Sequence, residues 1–170
     1  TVRTFTKLYN QYDSTQSPDN FFEKPFKLAN TNVLNTLETG KAYAGCLILN
    51  RNILKYGIVG HMNVYVFRGK ELILLSKGQI MEELIKEKVN KGLLSKEAAL
   101  RISDINRAYN FVGRDDYMSP LVSSREIKLK KKDIVVMITE SVQNSISVRE
   151  IEEVLVKKNG CKEKAREIIE

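Results

Sequence analysis

The stretch that decides the fold is DIVVMITESVQNSISVREIEEVL, residues 133 to 155. Its five consecutive apolar residues, Ile134 to Ile138, are bounded by polar ones and read as a buried strand. Thr139, Glu140 and Ser141 stand where that strand ends, a place where many folds keep their chemistry. Ser147 and Glu150 have the spacing of a capping box. The helix that box opens presents Ile151, Val154 and Leu155 on one face. Glu140 is therefore a metal-binding or catalytic acid, the remnant of one, or the first residue of a loop.

Working outward, the basic run KLKKKD, Lys128 to Asp133, precedes the buried strand and reads as a solvated tight turn. REIKL before it reads as another strand, and NFVGRDDYMSP as a loop. Further upstream, QIMEELIKEKVNKG is an amphipathic helix with Met81, Leu84, Ile85 and Val89 inward. SKEAALRIS is a short helix capped by Ser95. KAYAGCLILN and NILKYGIVG form a hairpin about residues 50 to 52. MNVYVFRGKELILLS gives two more strands turning at Arg68 to Lys70, so the four strands read as an antiparallel meander. At the start, Val2, Phe5, Leu8, Tyr9 and Tyr12 have helical spacing. After a turn-rich break, Ser17 and Pro18 open a second helix with Phe22, Phe26, Ala29, Val33 and Leu37 on one face, which Pro25 should kink or divide. NGCKEKAREIIE opens a last helix. Helices, strands, a helical insert, strands and helices make an α+β layout.

The 170 residues suit one domain, able to bury roughly 70% of its unfolded surface without disulfides. Cys46 and Cys161 read as inert buried thiols. No apolar run approaches the roughly 20 residues needed to span a membrane. The chain opens on Thr1 without a secretory-type leader, and we expect a processed or excised piece of a longer cytoplasmic protein. Net charge of +7 attracts anionic partners in general. The Tyr and Phe residues do not interleave with the basic run, so no base-stacking platform is visible. No P-loop, G-x-G-x-x-G or C-x-x-C occurs.

In order and spacing, the elements resemble the metal-dependent serine/threonine phosphatases of the PP2C (PPM) type. That family has a Gly-Asp-Ser-Arg strand and hairpin, where this chain has GHMNVYVFRGKEL. Its Leu-Thr-Arg-Asp-His turn falls on LLSKGQ, its Gly-Leu-Ile-Ser-x-Glu-Glu-Ala flap on KGLLSKEAA, and its Gly-containing loop on FVGRDD. Its Ser-Asp-Gly strand and following helix fall on DIVVMITESVQNSISVREIEEVL without a gap. The resemblance implies a central antiparallel β-sandwich flanked by helices, truncated at both ends. It implies one PP2C-like domain over residues 1–170 with a helical flap insert at 79–118.

In that family aspartates hold two divalent cations that activate water for attack on phosphorus. Carried over residue by residue, the metal positions fall on His61, on Gly78 with Gln79, on Glu140 and on Asn144. Only Glu140 keeps a carboxylate, one methylene longer. The early acidic motifs would precede residue 1 and the late Asp-Asn motif would follow residue 170. His61, the one histidine, could be a ligand, a base or a satisfied residue at a strand end. Adjacent Asp115 and Asp116 could hold one weak cation, as could Glu140.

The resulting expectation is a pseudophosphatase with no catalytic residue and no cofactor. It would bind a phosphoprotein, a kinase or another regulatory protein through the old cleft or the flap. One alternative is an active Mn- or Mg-dependent phosphatase whose other motifs lie outside this chain. Another is a basic nucleic-acid-binding module, which salt-dependent binding would reveal.

Overall fold

The computed structural model describes residues 2–12, 18–36 and 40–170. Helices α1 (Val2–Tyr9) and α2 (Pro18–Thr36) lead into strands β1 (Ala44–Asn50), β2 (Ile53–Val59), β3 (Met62–Arg68) and β4 (Glu71–Ser76). Helices α3 (Met81–Asn90) and α4 (Lys96–Ala99) follow. Then come β5 (Leu121–Val122), β6 (Ile127–Lys128) and β7 (Ile134–Thr139), and helices α5 (Glu140–Ser145), α6 (Val148–Val156) and α7 (Cys161–Ile169). The fold is α+β, and all strand pairings within its two sheets are antiparallel. Among the described residues no helix is long and apolar enough to cross a membrane.

The unbroken apolar run of β7 explains the layering, because a strand buried on both faces needs no polar alternation. Val135 and Met137 face Tyr56, Ile58 and Val64 between the two sheets. Val136 and Ile138 face the other way, onto Ile151 and Leu155 of α6. The first sheet joins β1 to β2, with β5 and β6 along the far edge of β2. Its outer face carries the aromatic cluster of Phe21, Phe22 and Phe26 from α2. Four layers result: α1 and α2, sheet, sheet, then α5, α6 and α7.

The meander is corrected. Strands β2 and β3 do not pair; β2 belongs to the first sheet and β3 to the order β4-β3-β7. Gly60 makes the crossing at φ 100°, a left-handed conformation that glycine adopts without steric cost. Among the described residues β7 pairs only with β3. The short β5 was not foreseen, because two residues carry no periodicity.

Four further expectations change. Helix α2 runs undivided through Pro25, whose ring is fully buried. On α3 only Ile85 is buried, while Met81, Leu84 and Val89 are half-exposed along a groove. Cys46 is half-buried and its thiol is pushed up to about 11 by burial, but Cys161 is exposed. The second helix start at Ser17 and the face position Leu37 lie outside the described residues. The cap at Ser95 and the Ser147–Glu150 capping box form as the spacing predicts.

One ion pair ties two turns together. Arg68 Nη2 stands 2.5 Å from Asp133 Oδ2, and the Lys130 backbone N–H donates to the same oxygen at 2.7 Å. The Arg68 hydrogen bonds hold the Asp133 carboxyl below the usual carboxylate range. A carboxyl depressed on folding adds stability above its unfolded value of about 4, and that stability is lost as pH falls through the folded value. Urea titrations from pH 6 down to pH 2 should therefore show a shallower acid loss for Asp133→Asn than for the wild type. Parallel curves would show that the pair contributes nothing.

Candidate functional site

The pairing of Met62 with Thr139 brings the next two residues, His61 and Glu140, together at the end of the second sheet. His61 Nδ1 lies 3.2 Å from Glu140 Oε2. That nitrogen is buried and makes no hydrogen bond, so the carboxylate is near it without being aligned to accept from it. Glu140 is the first residue of α5 rather than of a loop, and its side chain is 36% exposed.

Along β3, Asn63 and Tyr65 follow His61 on the same face, since alternate residues of a strand point the same way. The Tyr65 hydroxyl donates to Gln143 Oε1 at 2.7 Å, and Asn63 Nδ2 donates to the same oxygen at 3.2 Å. Burial raises the Tyr65 hydroxyl above its ordinary value, opposed by the Asn63 bond and the charge of Lys77. Asn63 Oδ1 is left buried without a partner.

Gly78 and Gln79 close the opposite side. Gly78 has φ 75°, and a Cβ on it would come 2.5 Å from the Gly60 carbonyl oxygen and 2.8 Å from Met62 backbone atoms. Gln79 is buried and fully engaged. Its backbone N–H donates to Gly60 O at 2.9 Å, and its Nε2 donates to Ser119 O at 2.8 Å. Its Oε1 accepts from Asn110 Nδ2 at 2.9 Å and from the Gly60 N–H at 3.4 Å. Asn110, fully buried, also donates to Met118 O at 2.8 Å. This amide network fixes the β2–β3 turn against the loop before β5.

The structure thus brings His61, Gly78 and Glu140 around one turn. Asn144 lies one helical turn beyond Glu140 and is exposed. Asp115 and Asp116 stand apart from them, on the wall of a cavity that His61 and Glu140 do not line. Arg114 Nη2 lies 2.5 Å from Asp116 Oδ2, and this bond holds that carboxyl below its usual range. Sequence reasoning missed the roles of Asn110, Gln143 and Asn30. Asn30 pins the Gly113–Arg114 backbone, accepting from the Arg114 N–H at 2.9 Å and donating to the Arg114 carbonyl at 2.9 Å. Isolated amides carry no motif, so no signal in the sequence marks them.

No protein-family model matches this chain, and no curated protein matches it in sequence. Solved structures do match its fold. A serine/threonine phosphatase of S. agalactiae superposes with TM-score 0.71 at 18% identity, covering 98% of this chain and 71% of that one. Stp1 from Staphylococcus aureus gives 0.66 at 14%, covering 93% and 62%. The catalytic domain of the phosphatase PstP, solved in complex with two manganese ions, gives 0.64 at 16%, covering 98% and 71%.

The fold is PP2C-like. The resemblance seen in the motifs extends to nearly the whole chain, which spans between just over half and three quarters of the phosphatases it matches. The PP2C-like scaffold is therefore present, and the donors at the positions that the motif resemblance marks can be tested directly. One imidazole and one carboxylate meet there, the amide of Gln79 is consumed by the fold, and Gly78 offers no side chain. Among the described residues, no three His, Cys, Asp or Glu side chains stand where they could share a metal ion. This donor set does not fit a pair of hard divalent cations, which require several carboxylate oxygens.

If Gln79 is the tie that holds the turn, Gln79→Leu leaves the buried Gly60 N–H and the Ser119 carbonyl without this partner, and Asn110 Nδ2 with only Met118 O. Each orphaned group costs about 1–3 kcal/mol. Urea denaturation should show a loss of at least about 2 kcal/mol. A loss below about 0.5 kcal/mol would mean that water replaces the amide and the network is not structural.

Proposed function

We propose that this PP2C-like domain is a pseudophosphatase, a domain without catalysis that binds a regulatory protein. The observation that carries this reading is the structural use of Gly78 and Gln79. These positions correspond to the Asp-His pair of the phosphatases, yet one has no room for a side chain and the other spends its amide on Gly60, Asn110 and Ser119. A turn built this way cannot regain a metal ligand by a rotamer change. Glu140, left beside His61, is one carboxylate where the chemistry asks for several.

Binding is supported by what the flap offers. Leu93 is 73% exposed and Leu100 87% exposed, and Met81 and Leu84 of α3 are half-exposed. Large apolar side chains left to solvent along one stretch of chain, residues 81 to 100, are available to a partner. A phosphoprotein, a kinase or another regulatory protein is the partner this reading favours. The second reading, an active Mn- or Mg-dependent phosphatase, rests on the fold match to phosphatases.

The two readings separate in one assay. With Mn²⁺ or Mg²⁺ present, the purified chain should release no phosphate above background from p-nitrophenyl phosphate or a phosphothreonine peptide, and Glu140→Gln should behave identically. Absence of the metal-bound nucleophile removes many powers of ten in rate. Metal-dependent turnover abolished by Glu140→Gln would establish the active enzyme instead.

A further inference from the structure

The cavity between α3 and the loop at 107–118 encloses about 780 Å³. Four cations border it, Lys41, Lys88, Arg107 and Arg114, against two carboxylates, Asp115 and Asp116. Arg114 is occupied by Asp116 and by the Tyr109 carbonyl, and Arg107 Nε stands 3.8 Å from Asp104 Oδ2. Nearby Glu83 and Glu87 on α3 are taken by Lys86 and Lys91. Lys41 and Lys88 have no carboxylate partner among the described residues.

These two lysines come from opposite walls. Lys88 belongs to α3. Lys41 sits beside Phe111 because Ala42 bridges Val112, and its ammonium lies 5.2 Å from the Phe111 ring centre and 5.3 Å from that of Tyr43. Two aromatic rings hold this cation in place at little entropic cost. Between the walls lie Met81, Leu84 and Met118, the last 43% exposed. Methionine and leucine adapt to apolar side chains of varied shape.

We propose that this groove binds an acidic segment of a partner protein, with carboxylates meeting Lys41 and Lys88 and one apolar side chain seated on Met81, Leu84 and Met118. The proposal rests on the binding-domain reading and names the chemistry of its partner. The volume suits a few residues of extended peptide, and a rim of four cations against two carboxylates, in a protein at +7, selects negative charge. An apolar floor distinguishes this occupant from a bare anion, which would gain nothing from Leu84 or Met118.

The test is fluorescence anisotropy with a labelled peptide of about ten Glu and Asp residues around a central Leu. The wild-type chain should bind it, more tightly as salt is lowered. Lys41→Glu combined with Lys88→Glu should weaken binding about tenfold or more, and Lys88→Glu alone less in the same direction. Replacing the central Leu by Ser should also weaken it. Arg149→Glu, on α6 and 89% exposed in the wild type, should change nothing. No binding of the acidic peptide, equal binding by the double variant with an unchanged melting curve, indifference to the Leu, or tighter binding of a labelled single-stranded oligonucleotide would each overturn the proposal. Metal-dependent phosphate release with charge-sensitive peptide binding intact would overturn the pseudophosphatase reading alone.

Discussion

Gly78 lies so close to the turn between β2 and β3 that a Cβ there would stand 2.5 Å from the Gly60 carbonyl oxygen. This close approach governs much of the molecule. The turn carries the chain from one sheet of the sandwich to the other, so its geometry sets how β3 enters and where His61 falls. Gln79, next to Gly78, then binds both backbone groups of Gly60 and reaches Asn110 and Ser119. A buried amide with all its partners in place rigidifies what it touches, and removing one partner exposes the rest to the full cost of desolvation. The same bonds shape the 107–118 loop that walls the groove on the far side.

That arrangement bears directly on the chemistry. Two divalent cations bring four positive charges, which hard oxygen donors must offset. At the positions that the motif resemblance marks, this chain supplies one glutamate, one imidazole, a glycine and two amides, within a chain of net charge +7. The polar groups that remain are turned to structural work. Tyr65, Asn63 and Gln143 bind one another across β3 and α5, and Gln79 binds backbone. Hydrogen bonds thus hold the turn beside His61 and Glu140, while Leu93 and Leu100 stand exposed after α3.

Much of this was legible in the residues. An apolar run of five bounded by polar residues reads as a buried strand, and β7 packs against the other sheet with Val135 and Met137 and against α6 with Val136 and Ile138. The Ser147–Glu150 box announced α6 because both hydrogen bonds are local. Non-local features were not legible. Sequence neighbours β2 and β3 read as a hairpin, since nothing in Gly60-His61 says that the chain is changing sheets. Leu84 has core spacing but borders a cavity, because periodicity reveals which face is apolar and not what covers it. Pro25 fails to divide α2 because burial of its ring outweighs one missing backbone bond. At the site, the structure sets His61 and Glu140 3.2 Å apart. The amides around them carry no pattern to read.

The most direct test of the account is calorimetric titration of metal-stripped protein with Mn²⁺. The account predicts at most one weak site, and no heat corresponding to a tight pair of ions. Two micromolar sites, both weakened by Glu140→Gln, would contradict it and restore the metal centre.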